Sequence, residues 1–248
     1  MDSLLNSIRD VVGEAGMLTG QDVAERSDSW PPTGGCQAKA IVRPASTAEV
    51  AAVLKLCSAA SQSVITHGGL TGLVHGAQCG PDDIVLSLER MRRLEAVDET
   101  NRTITVDAGV TLQSVHEAAD EAGLLFPLDL GARGSATIGG NISTNAGGNS
   151  VIRYGMAREQ VLGVEAVLAD GTIISSLNSV IKNNTGYDLK QLFIGSEGTL
   201  GIVTRAVLRL RPKPRSRNTA LVALDDFEKL GRFLRVMDTA LGGTLSAF

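Results

Sequence analysis

The chain has 248 residues, of which 43% are hydrophobic and 20% charged, with a net charge of −4 at pH 7. This length suffices for one or two globular cores. Proteins that bind nucleic acids usually carry a basic surface and often stacking aromatic rings. The acidic balance and an aromatic content of only 3% therefore argue against a nucleic-acid partner.

The three cysteines are Cys36, Cys57 and Cys79, an odd number without a C-x-x-C spacing. This pattern favours neither a disulfide framework nor a zinc site and is typical of a reducing compartment. The N-terminal stretch lacks a long apolar run, so we expect no secretory signal and no membrane span. The sequence predicts a cytoplasmic protein.

Local patterns predict alternating helices and strands. Ser46 and Glu49 form a capping box, and Gly16 and Gly123 are placed to end helices. Helices are predicted at 4–15, 46–60, 111–122 and, capped by Asp225, 225–241. Strands are predicted at 64–66, 84–88, 94–97, 103–106, 164–168, 173–175, 202–210 and 219–224, with Asp170-Gly171 as a hairpin turn. The proline-containing residues 211–217 are typical of a linker, and no internal repeat is visible.

Residues 131–148 contain six glycines and two asparagines among small hydroxyl and methyl side chains. So many glycines weaken an ordinary helix or strand, but they let a ligand approach the main chain closely. The backbone N–H groups and the side chains of Asn141, Ser143, Thr144 and Asn145 are donors suited to a phosphorylated or polyoxygenated ligand. The alternative is a glycine-rich surface loop.

A second glycine segment, residues 64–76, places Gly68, Gly69 and Gly72 directly after a predicted strand. Phosphate-binding loops often occupy this position, although a tight connection would have the same composition. Neither segment contains G-x-G-x-x-G or G-x-x-x-x-G-K-[ST], so the Rossmann and P-loop modes of nucleotide binding are not supported.

These two segments, with residues 127–130 and 187–204, resemble the FAD-binding domain of the vanillyl-alcohol oxidase superfamily. The similarity runs through residues 41–214 and is greatest to FAD-linked D-2-hydroxyacid dehydrogenases. The resemblance implies an α+β, two-lobed FAD-binding domain at 1–213, with lobes at about 1–110 and 111–213. Residues 214–248 would form a linker and the truncated start of a second α+β domain that binds substrate.

The resemblance also implies a set of FAD-binding residues on both segments and two flanking stretches. They are His67, Gly68, Gly69, Leu70, Thr71, Gly72, Leu73, Pro127, Leu128, Asp129, Ser135, Ala136, Thr137, Gly139, Gly140, Asn141, Ser143, Thr144, Asn145, Gly147, Ile202 and Val203.

The resemblance implies oxidation of a small D-2-hydroxyacid to the 2-oxoacid by hydride transfer to FAD, with a separate, unspecified electron acceptor. Relatives that bind flavin covalently through the first segment have histidine where this chain has Leu70, so non-covalent FAD is expected. Thr66, Leu70 and His75 depart from the residues usual in the family. No catalytic residue and no metal ligand is assigned, because the resemblance places the substrate histidine and any metal in the later domain.

Two alternatives stay open, namely a non-catalytic flavin-binding module that needs a partner subunit, and an inactive product of a truncated gene.

No catalytic role is assigned to the other candidate side chains. His116 is interpreted as structural, and the Asp82-Asp83 pair as solvated. Glu197 is expected to organise a turn. Ser135 and Ser196 have no histidine nearby in the sequence, which argues against a hydrolase.

Overall fold

The computed structural model describes residues 3–32 and 34–248. Its helices are α1 (Ser3–Val12), α2 (Gln21–Ala24), α3 (Thr47–Ala59), α4 (Leu112–Glu121), α5 (Ile138–Ser143), α6 (Val151–Tyr154), α7 (Lys190–Phe193) and α8 (Glu228–Leu241). Its strands are β1 (Met17–Thr19), β2 (Ala40–Val42), β3 (Val64–His67), β4 (Ile84–Ser87), β5 (Thr103–Asp107), β6 (Leu124–Leu125), β7 (Val161–Val167), β8 (Ile173–Ser176), β9 (Ile202–Arg209) and β10 (Arg211–Pro212).

The first lobe is a four-stranded sheet in the order β1-β2-β4-β3. Strands β2, β4 and β3 are parallel, and β1 is antiparallel to β2. Parallel strands require a crossover connection, which α3 supplies between β2 and β3. The predicted capping box of α3 is confirmed, since Ser46 Oγ accepts from the backbone N–H of Glu49 and the Glu49 carboxylate accepts from Ala45 N–H at 2.8 Å.

The second lobe is an antiparallel sheet in the order β5-β9-β7-β8, and α4 contributes buried side chains to the same hydrophobic core. The α4 residues Leu112, Val115 and Ala119 recur at helical spacing and are fully buried. The division between the lobes was predicted at residues 110 and 111. Strand β5 already belongs to the second sheet, so the boundary between the sheets lies before Thr103. The wider division at residues 213 and 214 stays a prediction.

The two lobes are packed against each other. Val167 from β7 and Ile202 from β9 are buried in the hydrophobic core of the first lobe. The Glu165 carboxylate accepts hydrogen bonds from Thr47 Oγ1 at 2.6 Å and from Thr204 Oγ1 at 3.2 Å. A shared core and a hydrogen-bonded carboxylate therefore fix the end of β9 beside the first lobe.

Several predicted elements differ from the structure. Residues 94–97 form only an isolated bridge, between Leu94 and Val106, and residues 219–224 are not a strand. The predicted long loop at 131–148 contains α5. Helix α8 begins later than expected, and Asp226 rather than Asp225 accepts from the Glu228 N–H. The first helix ends at Val12, and a short 3₁₀ turn follows it.

Candidate functional site

The two glycine segments meet at one cavity of about 310 Å³ between the lobes. Strand β3 brings in the first segment, and α5 carries the middle of the second. The cavity is lined by Asp28, Ser29, Trp30, Thr66, His67, Gly68, Gly69, Leu70, Thr71, Gly72, Val74, Gly76, Ala77, Leu88, Leu130, Thr137, Gly139, Gly140, Asn141, Ser143, Thr144, Ala146, Glu197, Gly198, Ile202 and Val203. Fourteen of the residues predicted from sequence are in this lining.

Gly69 is required where the two segments touch. A Cβ built on Gly69 would lie 2.0 Å from the carbonyl oxygen of Ser135 and 2.9 Å from the Cα of Ala136. Both neighbours are backbone, so neither can rotate away. The missing side chain of Gly69 thus serves contact between the segments, whereas the sequence pattern had indicated contact with a ligand.

Gly140 has a different role from Gly69. It lies inside α5 with a negative φ, and a Cβ there would approach only Thr137 Oγ1, at 3.3 Å. Gly140 therefore needs no backbone conformation reserved for glycine. It lines the cavity, so the absence of a side chain leaves space for a ligand.

Asn141 lines the cavity and has an unpaired buried amide group. Its side chain is buried at 5% exposure, and its Nδ2 has no hydrogen-bond partner in the described residues. Buried amide groups are nearly always hydrogen-bonded, because leaving one unpaired costs about 1–3 kcal/mol. An oxygen-rich ligand would accept this hydrogen bond, and the neighbouring hydroxyls of Ser143 and Thr144 line the same cavity. The residues therefore fit a polyoxygenated cofactor.

His67 ends β3 and is buried in the cavity wall. Burial lowers the pKa of His67 below its usual value, which favours the neutral ring. Its Nε2 lies 2.8 Å from the carbonyl oxygen of Ala77 and must donate, because a carbonyl only accepts. This bond holds the turn that follows the first glycine segment.

A short stretch at the cavity was not predicted from the sequence. It consists of Asp28, Ser29 and Trp30, and we call it the strap. Trp30 is 58% exposed and is the only tryptophan of the chain. An irregular segment has no periodicity, so the sequence pattern could not predict that Trp30 lies at the cavity. The prolines after Trp30 indicated only that this stretch is not helical. Glu197, expected to organise a turn, has a φ of +52° and donates its N–H to the Ser143 carbonyl.

Eight predicted residues do not line this cavity. Leu73 is exposed, Leu128 is in the core, and Ser135 and Ala136 lie behind Gly69. Asn145 accepts from Arg158 N–H, and Gly147 packs beside Met156. Pro127 and Asp129 line a second cavity of about 500 Å³, next to α4. The second cavity is larger, but of the two glycine segments only Arg133 reaches its lining, so we place the principal site in the first. Contacts of these eight residues with FAD stay predictions.

Two features of residues 3–32 and 34–248 bear on metal ions and membranes. Within these ranges, no cluster of three histidine, cysteine or acidic side chains is arranged to hold a metal ion. No helix in the same ranges is long and apolar enough to cross a membrane.

Comparison with known proteins identifies the class of ligand. The family model described as FAD binding domain matches residues 38–176. The chain is 40% identical over 252 residues to the probable mitochondrial D-2-hydroxyglutarate dehydrogenase of Oryza sativa subsp. indica, covering 99% of the chain and 45% of the rice protein. It is 43% identical over 219 residues to the Bos taurus mitochondrial D-2-hydroxyglutarate dehydrogenase, covering 88% of the chain and 40% of the bovine protein.

Solved structures agree on the fold. Alkyldihydroxyacetonephosphate synthase superposes with a TM-score of 0.74 at 19% identity, over 87% of this chain and 40% of the other. A Phl p 4 variant described as a glucose oxidase gives 0.72 at 20% identity, over 86% and 44%. The expected two-lobed fold of the vanillyl-alcohol oxidase type is therefore confirmed. The chain spans less than half the length of the curated relatives described above.

Proposed function

Since the chain belongs to the FAD binding domain family, we propose that it is the FAD-binding portion of an oxidoreductase that oxidises a D-2-hydroxyacid to the 2-oxoacid. FAD is its cofactor. The observation that carries the proposal is that the matched residues contain both cavity-lining glycine segments and the unpaired Asn141 amide. D-2-hydroxyglutarate is the first substrate to test, because it appears in the names of the relatives.

The residues of the cavity would bind and orient the cofactor. Asn141 Nδ2 would donate to an oxygen of FAD, and the hydroxyls of Ser143 and Thr144 would add further polar contacts. Gly72 and Gly140 leave space at the wall. The bound flavin supplies the hydride acceptor, and the protein supplies position and exclusion of water.

We propose that FAD is held non-covalently. Leu70 stands where relatives that bind flavin covalently have histidine, and its side chain has no nucleophilic atom. His67 is the one histidine in the described cavity lining, and its Nε2 is hydrogen-bonded to the Ala77 carbonyl oxygen. Acid precipitation should therefore release the flavin into the supernatant. Flavin that stays in the protein pellet would contradict this.

The substrate and the electron acceptor are proposed partners whose contacts lie outside the described cavity. We assign no base for the substrate hydroxyl among the described lining residues, and the one histidine among them, His67, is hydrogen-bonded to a backbone carbonyl. We expect the 248-residue chain alone to bind FAD but to show negligible turnover of D-2-hydroxyglutarate, D-lactate or glycolate with an artificial acceptor. Saturable turnover would show that these residues contain the whole active site.

The second candidate function is a non-catalytic flavin-binding module that requires a partner. It is favoured by the same observation, a cofactor cavity without an assigned base. Size-exclusion chromatography with flavin absorbance distinguishes the cases. A yellow, monodisperse species without turnover fits a module or a portion of a larger enzyme, whereas a colourless aggregate fits an inactive product. The cytoplasmic location stays a prediction.

The cavity assignment is tested by titrating FAD into Gly140→Val. The valine methyl groups would occupy the cavity, and overpacking of about 1–3 kcal/mol corresponds to a roughly 5- to 150-fold loss of affinity. Valine has a higher helix propensity than glycine, so α5 should persist. Lys229→Ala, on exposed α8, is the matched control with unchanged affinity. Circular dichroism checks that Gly140→Val is folded, and titration measures its affinity for FAD. If the folded variant binds FAD as tightly as the parent chain, FAD does not bind in this cavity.

A further inference from the structure

Two cysteines that are 43 residues apart in sequence are adjacent at the edge of the cofactor cavity. The Sγ atoms of Cys36 and Cys79 lie 3.0 Å apart, and both thiols are free. A disulfide has an S–S distance of about 2.05 Å, so closing the bond needs a movement of about 1 Å. The odd cysteine count had favoured no disulfide framework, but here two thiols form a pair.

The pair connects two segments that line the cavity. Cys36 follows the strap, and its N–H donates to the carbonyl of Arg26, just before the strap. Cys79 follows the turn that contains Gly76 and Ala77, and its N–H donates to Asp28 Oδ2 at 3.2 Å. The cysteine pair and the Asp28 bond therefore join the strap to the end of the first glycine segment.

We propose that Cys36 and Cys79 form a reversible disulfide that locks the strap onto the first glycine segment and slows release of the cofactor. Trp30 of the strap and Gly76 and Ala77 of the turn all line the cavity, so an FAD bound there would adjoin both segments. In the reduced protein, these walls are joined near the cysteines by hydrogen bonds, which open readily. A covalent bond removes that motion.

The oxidant is a small-molecule disulfide such as oxidised glutathione. The Cys79 thiolate attacks one sulfur of this disulfide, forming a mixed disulfide and releasing one small thiolate. The Cys36 thiolate then attacks the Cys79 sulfur and expels the second. Two protein thiols are oxidised, one small disulfide is reduced to two thiols, and the protons end on those thiols in neutral solution.

Access decides which cysteine reacts first. Cys36 is 3% exposed, whereas Cys79 is partly exposed and meets the oxidant. Burial and the contact with Cys36 raise the pKa of Cys79 to about 12, so the thiol form dominates at neutral pH and the reaction is slow. Incubation at mildly alkaline pH for hours is therefore the suitable condition.

The first test counts thiols. After incubation with oxidised glutathione, unfolding and alkylation, the chain should have one free thiol in place of three, and peptide mapping should link Cys36 to Cys79. Cys57→Ala should form the same link, because Cys57 is buried in the core of the first lobe. Cys36→Ser should not. Retention of three alkylated thiols, or a persistent glutathione adduct, would overturn the disulfide.

The second test measures FAD dissociation after dilution and rests on the FAD site proposed above. The oxidised parent should release FAD at least fivefold more slowly than the reduced parent, and a reductant should restore the faster rate. Cys36→Ser should show one rate under both conditions. An unchanged rate despite a mapped disulfide would overturn the effect on the cofactor. Failure of both redox forms to bind FAD would instead overturn the FAD site.

Discussion

The contact between the two glycine segments predicts the effect of replacing Gly69 with alanine. The added Cβ would lie 2.0 Å from the Ser135 carbonyl oxygen, about 1.4 Å short of an ordinary contact of 3.4 Å. Since the neighbours are backbone atoms, the segments must separate. We expect the free energy of unfolding to fall by about 3 kcal/mol, which is the upper end of the range for overpacked cores.

This destabilisation can be measured without the cofactor. For a domain of this size, about 3 kcal/mol corresponds to a fall in Tm of roughly 6–12 °C. Calorimetry or circular dichroism on the apo chain measures the fall, and FAD titration below the transition should show at least about a tenfold loss of affinity, because the cavity walls no longer meet correctly.

Gly72→Ala is the matched control for Gly69→Ala. Gly72 lies in the same segment and cavity lining, but a Cβ there meets nothing within 4 Å. Its apo Tm should be unchanged or slightly raised, since alanine restricts the unfolded chain. Equal Tm values for Gly69→Ala, Gly72→Ala and the parent would refute the argument that backbone contact requires Gly69.

Three further substitutions test single features of the cavity. Asn141→Leu should weaken FAD binding about 10- to 100-fold by titration without lowering the apo Tm, because it removes an unpaired buried amide; a lower apo Tm with unchanged affinity would contradict the role in binding. Leu70 has a φ of +51°, so Leu70→Asn should raise the apo Tm by about 2–4 °C, and a fall would show that leucine packing outweighs backbone strain. Burial lowers the pKa of His67, so the folded chain binds this proton less readily than the unfolded chain, and stability should fall as pH drops below about 6.5. Denaturant unfolding of His67→Gln should show a weaker dependence of stability on pH than the parent chain. Identical pH profiles for the two chains would exclude His67 as the source of this dependence.

Much of the fold could be predicted because its signals are local. The capping box at Ser46 and the helical spacing of buried residues in α4 depend on neighbours in sequence, and both predictions are confirmed. The second sheet was harder to delimit, since β5 pairs with a strand about a hundred residues later. No local pattern encodes that partner.

The site could be predicted in its centre but not at its borders. Glycine density located the two segments, yet composition could not distinguish Gly69, which contacts Ser135, from Gly140, which faces the cavity. It also missed α5, because the Thr137 side chain caps a helix that glycine propensity disfavours. The strap residue Trp30 reaches the cavity through tertiary packing alone.

The central position of β9 in the second sheet determines when the cofactor cavity can be completed during synthesis. Every pairing of the first sheet is available once Ser87 has emerged from the ribosome, whereas β5 must wait for β9, which ends at Arg209. Ile202 and Val203, which line the cavity, arrive with the same strand. The nascent N-terminal lobe can therefore form its sheet while the proposed flavin site is still incomplete, so FAD bound there would stabilise only the late stage of assembly.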